Sequence, residues 1–139
     1  MDYYANAHGN ERAAITLLKN GHYQQCVSLS CLAVELYLKS KLHLVQHSEE
    51  LMFSHDVVNI YKRLITRFQP KTDILPFVTV SRKYFNESRY PYAGDTSIYT
   101  QEFANEFIEI VAAVREFIDN ECVATMDDLR SKHERAVRN

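Results

Sequence analysis

The segment from His22 to His43 is apolar around almost its whole circumference, and this constrains the fold more than any other stretch. Placed at 100° per residue, Gln24, Ser28, Glu35 and Lys39 form one polar stripe roughly 60° wide. Tyr23, Cys26, Val27, Leu29, Leu32, Ala33, Val34, Leu36, Tyr37 and Leu38 occupy nearly all the rest. An ordinary surface helix buries one stripe and exposes the remainder. Here the proportions are reversed, so this helix is expected to be central and packed on several sides, or shared with a second subunit. Only three glycines and three prolines are available for turns, which argues against a β-sandwich or barrel.

The other periodic segments read as helices around that centre. A first helix, Ala5 to Asn20, directs Ala14, Leu17 and Leu18 inward, and Asn20-Gly21 stops it with a left-handed glycine. The short connection turns the chain back into an αα-hairpin. After a polar stretch from Gln46, Ser54 reads as the N-cap of a helix from His55 to Phe68, with Val57, Ile60, Tyr61, Leu64, Ile65 and Phe68 inward. The next helix, Asp73 to Ser88, has Thr72 or Asp73 as cap and an apolar stripe of Ile74, Phe77, Val78, Val80, Tyr84 and Phe85. Thr100 caps a further helix whose Phe103, Phe107, Ile110, Val114 and Phe117 suit a bundle core. Beyond Asn120 a capping-box-like pair, Thr125 and Asp128, and a stripe of Met126, Leu129, His133 and Val137 predict a charged terminal helix or tail. The expectation is all-α: one domain over 1–139, an up-and-down bundle of four to five antiparallel helices, with a core at 6–119 and a C-terminal helix or tail at 120–139.

Function classes narrow with composition. The net charge of -2 supplies no global field for nucleic acid. No run of about eighteen apolar residues predicts a membrane span. Cys26, Cys31 and Cys122 fall on apolar helix faces without CxxC or CxxH spacing, as small buried residues of a reducing cytoplasm do. No structural zinc site and no cofactor is expected.

The chemistry-bearing segment is Ser88 to Asp95, where Pro91 and Gly94 break the helical pattern. Within seven residues it displays the Arg89 guanidinium, the Tyr90 and Tyr92 phenols and the Asp95 carboxylate. Arg89 suits bidentate phosphate binding, and the tyrosines suit stacking on a base. Arg89 also fits capping of the preceding helix or pairing with Asp95. Glu35 and Lys39, at i,i+4, read either as a solvated ion pair or as a polar line facing a cleft. His55 and Asp56 fit helix-start chemistry, or an acid–base pair. His43 and His47 have metal-face spacing but no completing carboxylate. Arg130, Lys132, Arg135 and Arg138 are diluted by Asp127, Asp128 and Glu134, as on a solvated helix.

Three of these segments, in this order, resemble the HEPN family of small helical bundles. They are Ala33-Val34-Glu35 with Lys39, Ser54-His55-Asp56-Val57, and Arg89-Tyr90-Pro91. The resemblance covers residues 6–119 and implies a five-helix bundle that dimerises through helix faces. It implies two functional branches. One binds nucleotides or partners a minimal nucleotidyltransferase, often in toxin–antitoxin pairs. The other cleaves RNA without metal through an Arg-x4-6-His motif. That motif is missing here: no histidine lies in the window after Arg89, and Arg130 to His133 is too short. The expectation is therefore a homodimeric nucleotide- or RNA-binding module, with Arg89, Tyr90, Tyr92, Asp95, Glu35 and Lys39 at the ligand. The alternatives are a metal-independent ribonuclease toxin using Arg89 and His55, and a protein-interaction adaptor without a ligand.

Overall fold

The computed structural model describes residues 1–45, 49–90, 96–123, 130 and 134. Among them there is no strand. The elements are α1 (Tyr3–Lys19), α2 (Tyr23–Val45), a single turn α3 (Glu49–Met52), α4 (Val57–Phe68), α5 (Leu75–Glu87), a 3-10 turn (Thr96–Ile98) and α6 (Gln101–Glu121). They form a helical bundle. The stretch read as a polar connection thus carries one helical turn of its own.

Local chemistry explains the boundaries. Asp2 caps α1, accepting from the Ala5 N–H at 3.0 Å. At its other end Gly21 sits at φ 79°, and the N–H groups of Gly21 and His22 return to the carbonyls of Leu18 and Leu17. That is the glycine-terminated closure expected from the sequence. It folds α2 back along α1, where Ala7 and Ala14 are fully buried and let the two backbones approach.

Helix α2 packs against α1, α4, α5 and α6, as its apolar circumference requires. Cys26, Val27, Cys31, Ala33, Val34, Tyr37, Leu38 and Leu42 are fully buried. Burial pushes the Cys31 and Cys122 thiols up to about 12, so they behave as apolar filler.

Two caps differ from expectation. Asp56, not Ser54, caps α4: its carboxylate accepts from Val58 and Asn59, while the Ser54 hydroxyl accepts from the Asp56 N–H. A carboxylate at the helix start accepts two donors there and complements the dipole, leaving serine two positions outside. Helix α5 begins at Leu75, and Ile74 occupies the cap position without a side-chain bond. Asp73 instead accepts from the Leu75 N–H and the Tyr61 hydroxyl, and that hydroxyl accepts from the Ile74 N–H. This knot ties the end of α4 to the start of α5.

The α5 stripe is also rotated from the one expected. Val78, Ser81 and Phe85 are buried, whereas Phe77 and Val80 are exposed. Ser81 lies between Val78 and Phe85 on the helix surface, and its small side chain fits under α2. Thr100 caps α6 as expected, accepting from Phe103, and Phe107, Ile110, Val114 and Phe117 line the core. Thr125, Asp128 and the stripe of Met126, Leu129, His133 and Val137, with Lys132, Arg135 and Arg138, lie outside the described residues, as do His47, Tyr92 and Asp95.

Candidate functional site

The polar stripe of α2 does not face water. Glu35 and Lys39 are 3% and 5% exposed, with the Lys39 Nζ 3.1 Å from Glu35 Oε2. The solvated-pair expectation fails because α4 and α5 roof over this side of α2. A charge in such a place is stable only when paired and hydrogen-bonded.

His55 supplies the further partner. Its Nδ1 lies 3.0 and 3.2 Å from the two Glu35 oxygens. A carboxylate only accepts, so Nδ1 is the donor in this pair and Nε2 is the ring nitrogen turned away from Glu35. The His55 side chain is 66% exposed, which leaves that second nitrogen within reach of a solute. The cap geometry explains its position: Asp56 turns inward to the α4 N-terminus, and the residue before it is projected over Glu35.

An aromatic platform joins this imidazole to the arginine of the loop segment. The Phe85 ring stacks on His55 at 5.5 Å and 22°. The Arg89 guanidinium lies 5.0 Å from the centroid of the same ring and 5.8 Å from that of Tyr90. Such cation–π contacts hold a guanidinium in place without consuming its donors. Close by, Arg82 on α5 pairs with Asp56 at 3.6 Å; both are partly exposed, so the pair adds little stability.

On the other side of Arg89 an open cleft of about 530 Å³ is lined by Leu17, Gln24, Gln25, Ser28, Leu29 and Ser88. That volume lies within the usual range of small-molecule sites. The Gln24 amide donates to the Ser88 carbonyl at 3.0 Å. The Ser88 hydroxyl is buried without a hydrogen-bond partner among the described residues.

The sequence profile of the HEPN domain matches residues 1–121. The chain belongs to the HEPN domain family. Comparison with curated proteins gives no significant match. Among solved structures, the crystal structure of TT1696 from Thermus thermophilus superposes with a TM-score of 0.75. It is 23% identical and covers 86% of this chain and 95% of its own, a likeness of fold.

The three segments that carry the HEPN resemblance converge in this domain. Glu35 and Lys39 of the first lie beneath His55 of the second, and Phe85 connects His55 to Arg89 of the third. The predicted Arg89 and Tyr90 are exposed at the rim, while Glu35 and Lys39 underlie it. Phe85 was read from the sequence only as core, because an aromatic on an apolar stripe gives no other signal. His43 sits apart, with its Nδ1 3.2 Å from the Lys39 carbonyl.

A second buried network escaped sequence analysis. Glu11 is 2% exposed and accepts from the Tyr37 hydroxyl at 2.6 Å and from the Arg115 guanidinium. His8 Nδ1 lies 3.4 Å from the same hydroxyl. Burial first, and the Glu11 hydrogen bond second, push the Tyr37 phenol well above its ordinary range. The available clue was Glu11 between Ala7 and Ala14 on one helix face. Its partners stand 26 and 104 residues away, so only the fold reveals the network.

Proposed function

We propose that this HEPN domain is a ligand-binding module that takes a phosphate of a nucleotide or RNA at the rim formed by His55, Phe85, Arg89 and Tyr90. The observation that carries this reading is the shared Phe85 platform. It holds a permanent cation beside an imidazole whose Nδ1 is anchored on the buried Glu35. Arg89 supplies charge-assisted donors to phosphate oxygens, and Tyr90 offers a stacking surface. Glu35 and Lys39 act beneath the site by orienting His55. Family membership supports self-association into a homodimer and a nucleotidyltransferase as the partner class, in the manner of toxin–antitoxin pairs. Titration of fluorescent ATP and a short fluorescent RNA followed by anisotropy tests the site. Arg89→Ala should weaken binding of at least one of them about tenfold or more, the scale of a charged hydrogen bond, with helical CD intact. Undiminished affinity for both would reject the assignment.

The Glu35–His55 bond favours a second reading, metal-independent RNA cleavage. His55 Nε2 would remove the 2′-hydroxyl proton as that oxygen attacks the adjacent phosphorus and the 5′-oxygen departs with a proton from solvent. Arg89 would stabilise the charge that develops on the phosphoryl oxygens. Incubation with RNA in EDTA separates the two: cleavage lost in both His55→Gln and Arg89→Ala establishes an enzyme, and intact RNA leaves the binder.

A further inference from the structure

The exposed face of α4 carries Lys62, Arg63 and Arg67, and the helix contains no acidic residue at all. At 100° per residue, Asp56, Arg63 and Arg67 fall within about 40° of one another. Arg82 lies on α5, and Arg89 follows seven residues later, just past the end of that helix. The Arg82–Asp56 contact brings the N-terminal end of the α4 row to Arg82. Helices α4 and α5 run antiparallel, since Asp56 meets Arg82 while Tyr61 meets Asp73 and Ile74. On that alignment the arginine series runs in the order Arg89, Arg82, Arg63, Arg67 along the helix axes. It spans roughly 25 Å at 1.5 Å of rise per helical residue. Asp56 offsets Arg82 near its middle, and opposite Arg63 the α5 row offers only Leu75 and Thr79.

The opposite sign is collected elsewhere. Glu102, Glu106, Glu109, Glu116 and Asp119 are exposed on α6, whose one cation, Arg115, is held by Glu11. Among the described residues, α4 is thus wholly basic in its charges and the exposed charges of α6 are wholly acidic, beneath a near-neutral total of -2. Such a field admits a polyanion along one face and repels it from the other.

We infer that the α4–α5 face is a track for the backbone of single-stranded nucleic acid, which enters the Arg89 site and continues over Arg82, Arg63 and Arg67. This rests on the phosphate-binding reading above and adds to it a ligand several phosphates long, because a single nucleotide at Arg89 does not reach Arg63 and Arg67. The track is not an extension of the Gln24–Ser28 cleft, which carries no cation besides Arg89.

The test is anisotropy with a fluorescent uridylate decamer and with fluorescent UMP, over a range of salt, on the wild type, Arg63→Glu/Arg67→Glu, and Arg89→Ala. Four neutralised phosphates on a single strand predict a log–log salt slope of about -3, and loss of two reduces its magnitude by about 1.4. The double reversal should weaken the decamer at least tenfold and leave UMP unchanged. The inference is overturned by any of three results: no binding of the decamer, decamer affinity indifferent to the double reversal, or equally effective competition by a glutamate decamer, which would make an acidic protein segment the occupant. Decamer binding sensitive to Arg63 and Arg67 but not to Arg89 would uphold the track and reject the phosphate site. UMP binding lost with Arg89, beside a decamer indifferent to Arg63 and Arg67, would do the reverse.

Discussion

Replacing the buried pair Glu35 and Lys39, singly and together, separates what holds this bundle from what it does. Glu35→Leu strands the Lys39 ammonium, 5% exposed, with Glu35 as its hydrogen-bonding partner gone. Breaking a buried pair from one side costs about 3–5 kcal/mol. Lys39→Met is milder, nearer the lower bound, because Glu35 still receives the His55 N–H at 3.0 Å beside a solvent-exposed ring. In the double variant no charge is left behind. Apolar replacements of similar volume are then often neutral, or stabilising by about 1–4 kcal/mol. The expected order of melting temperature is double variant near or above wild type, then Lys39→Met, then Glu35→Leu, the last about 15 °C below wild type. Urea titrations of all four proteins give the coupling energy directly. Nucleotide or RNA affinity should nevertheless fall in the double variant, since His55 loses the acceptor that fixes its ring. The reasoning fails if each single variant costs under about 1 kcal/mol, or if the double variant costs their sum.

Two further outcomes follow from contacts away from the site. Tyr37→Phe leaves the buried Glu11 Oε1 without its donor and should cost about 1–3 kcal/mol, read by urea unfolding; a loss below a few tenths would show the network to be dispensable. Glu121 accepts from the Lys71 and Thr72 N–H groups at 2.7 and 2.8 Å, bonds that hold its carboxyl below the ordinary carboxylate range against the opposing effect of desolvation. Because the folded value is the lower one, its contribution is complete above the unfolded value near 4.5 and fades as pH falls through the folded value. Glu121→Gln should therefore narrow its stability gap from wild type as pH drops from 6 to 3, and a constant gap would contradict the assignment.

Much of this protein was legible before any coordinates. The circumference of α2, the glycine closing α1, the Thr100 cap and the phenylalanine seam of α6 are local or periodic signals, and periodicity reports burial directly. The convergence of the motifs around Glu35, His55 and Arg89 was legible only as an ordered resemblance. Illegible features have a common cause. Ser81 counts as polar in any pattern, yet it is buried because α5 needs a small side chain against α2. Phe85 looks like core and also carries the His55 ring and the Arg89 guanidinium.

The chain alone determined that α2 is the hub, since an almost wholly apolar helix is stable only when surrounded. It also set the segment boundaries to within a few residues, and the order in which the motifs occur. Packing alone decided the fate of charge. It made Glu35 and Lys39 a buried pair, joined Glu11 to Arg115 across 104 residues, and brought Arg82 of α5 to Asp56 at the start of α4. Charge acts through distance and local dielectric, and both are properties of the folded state that sequence spacing does not contain.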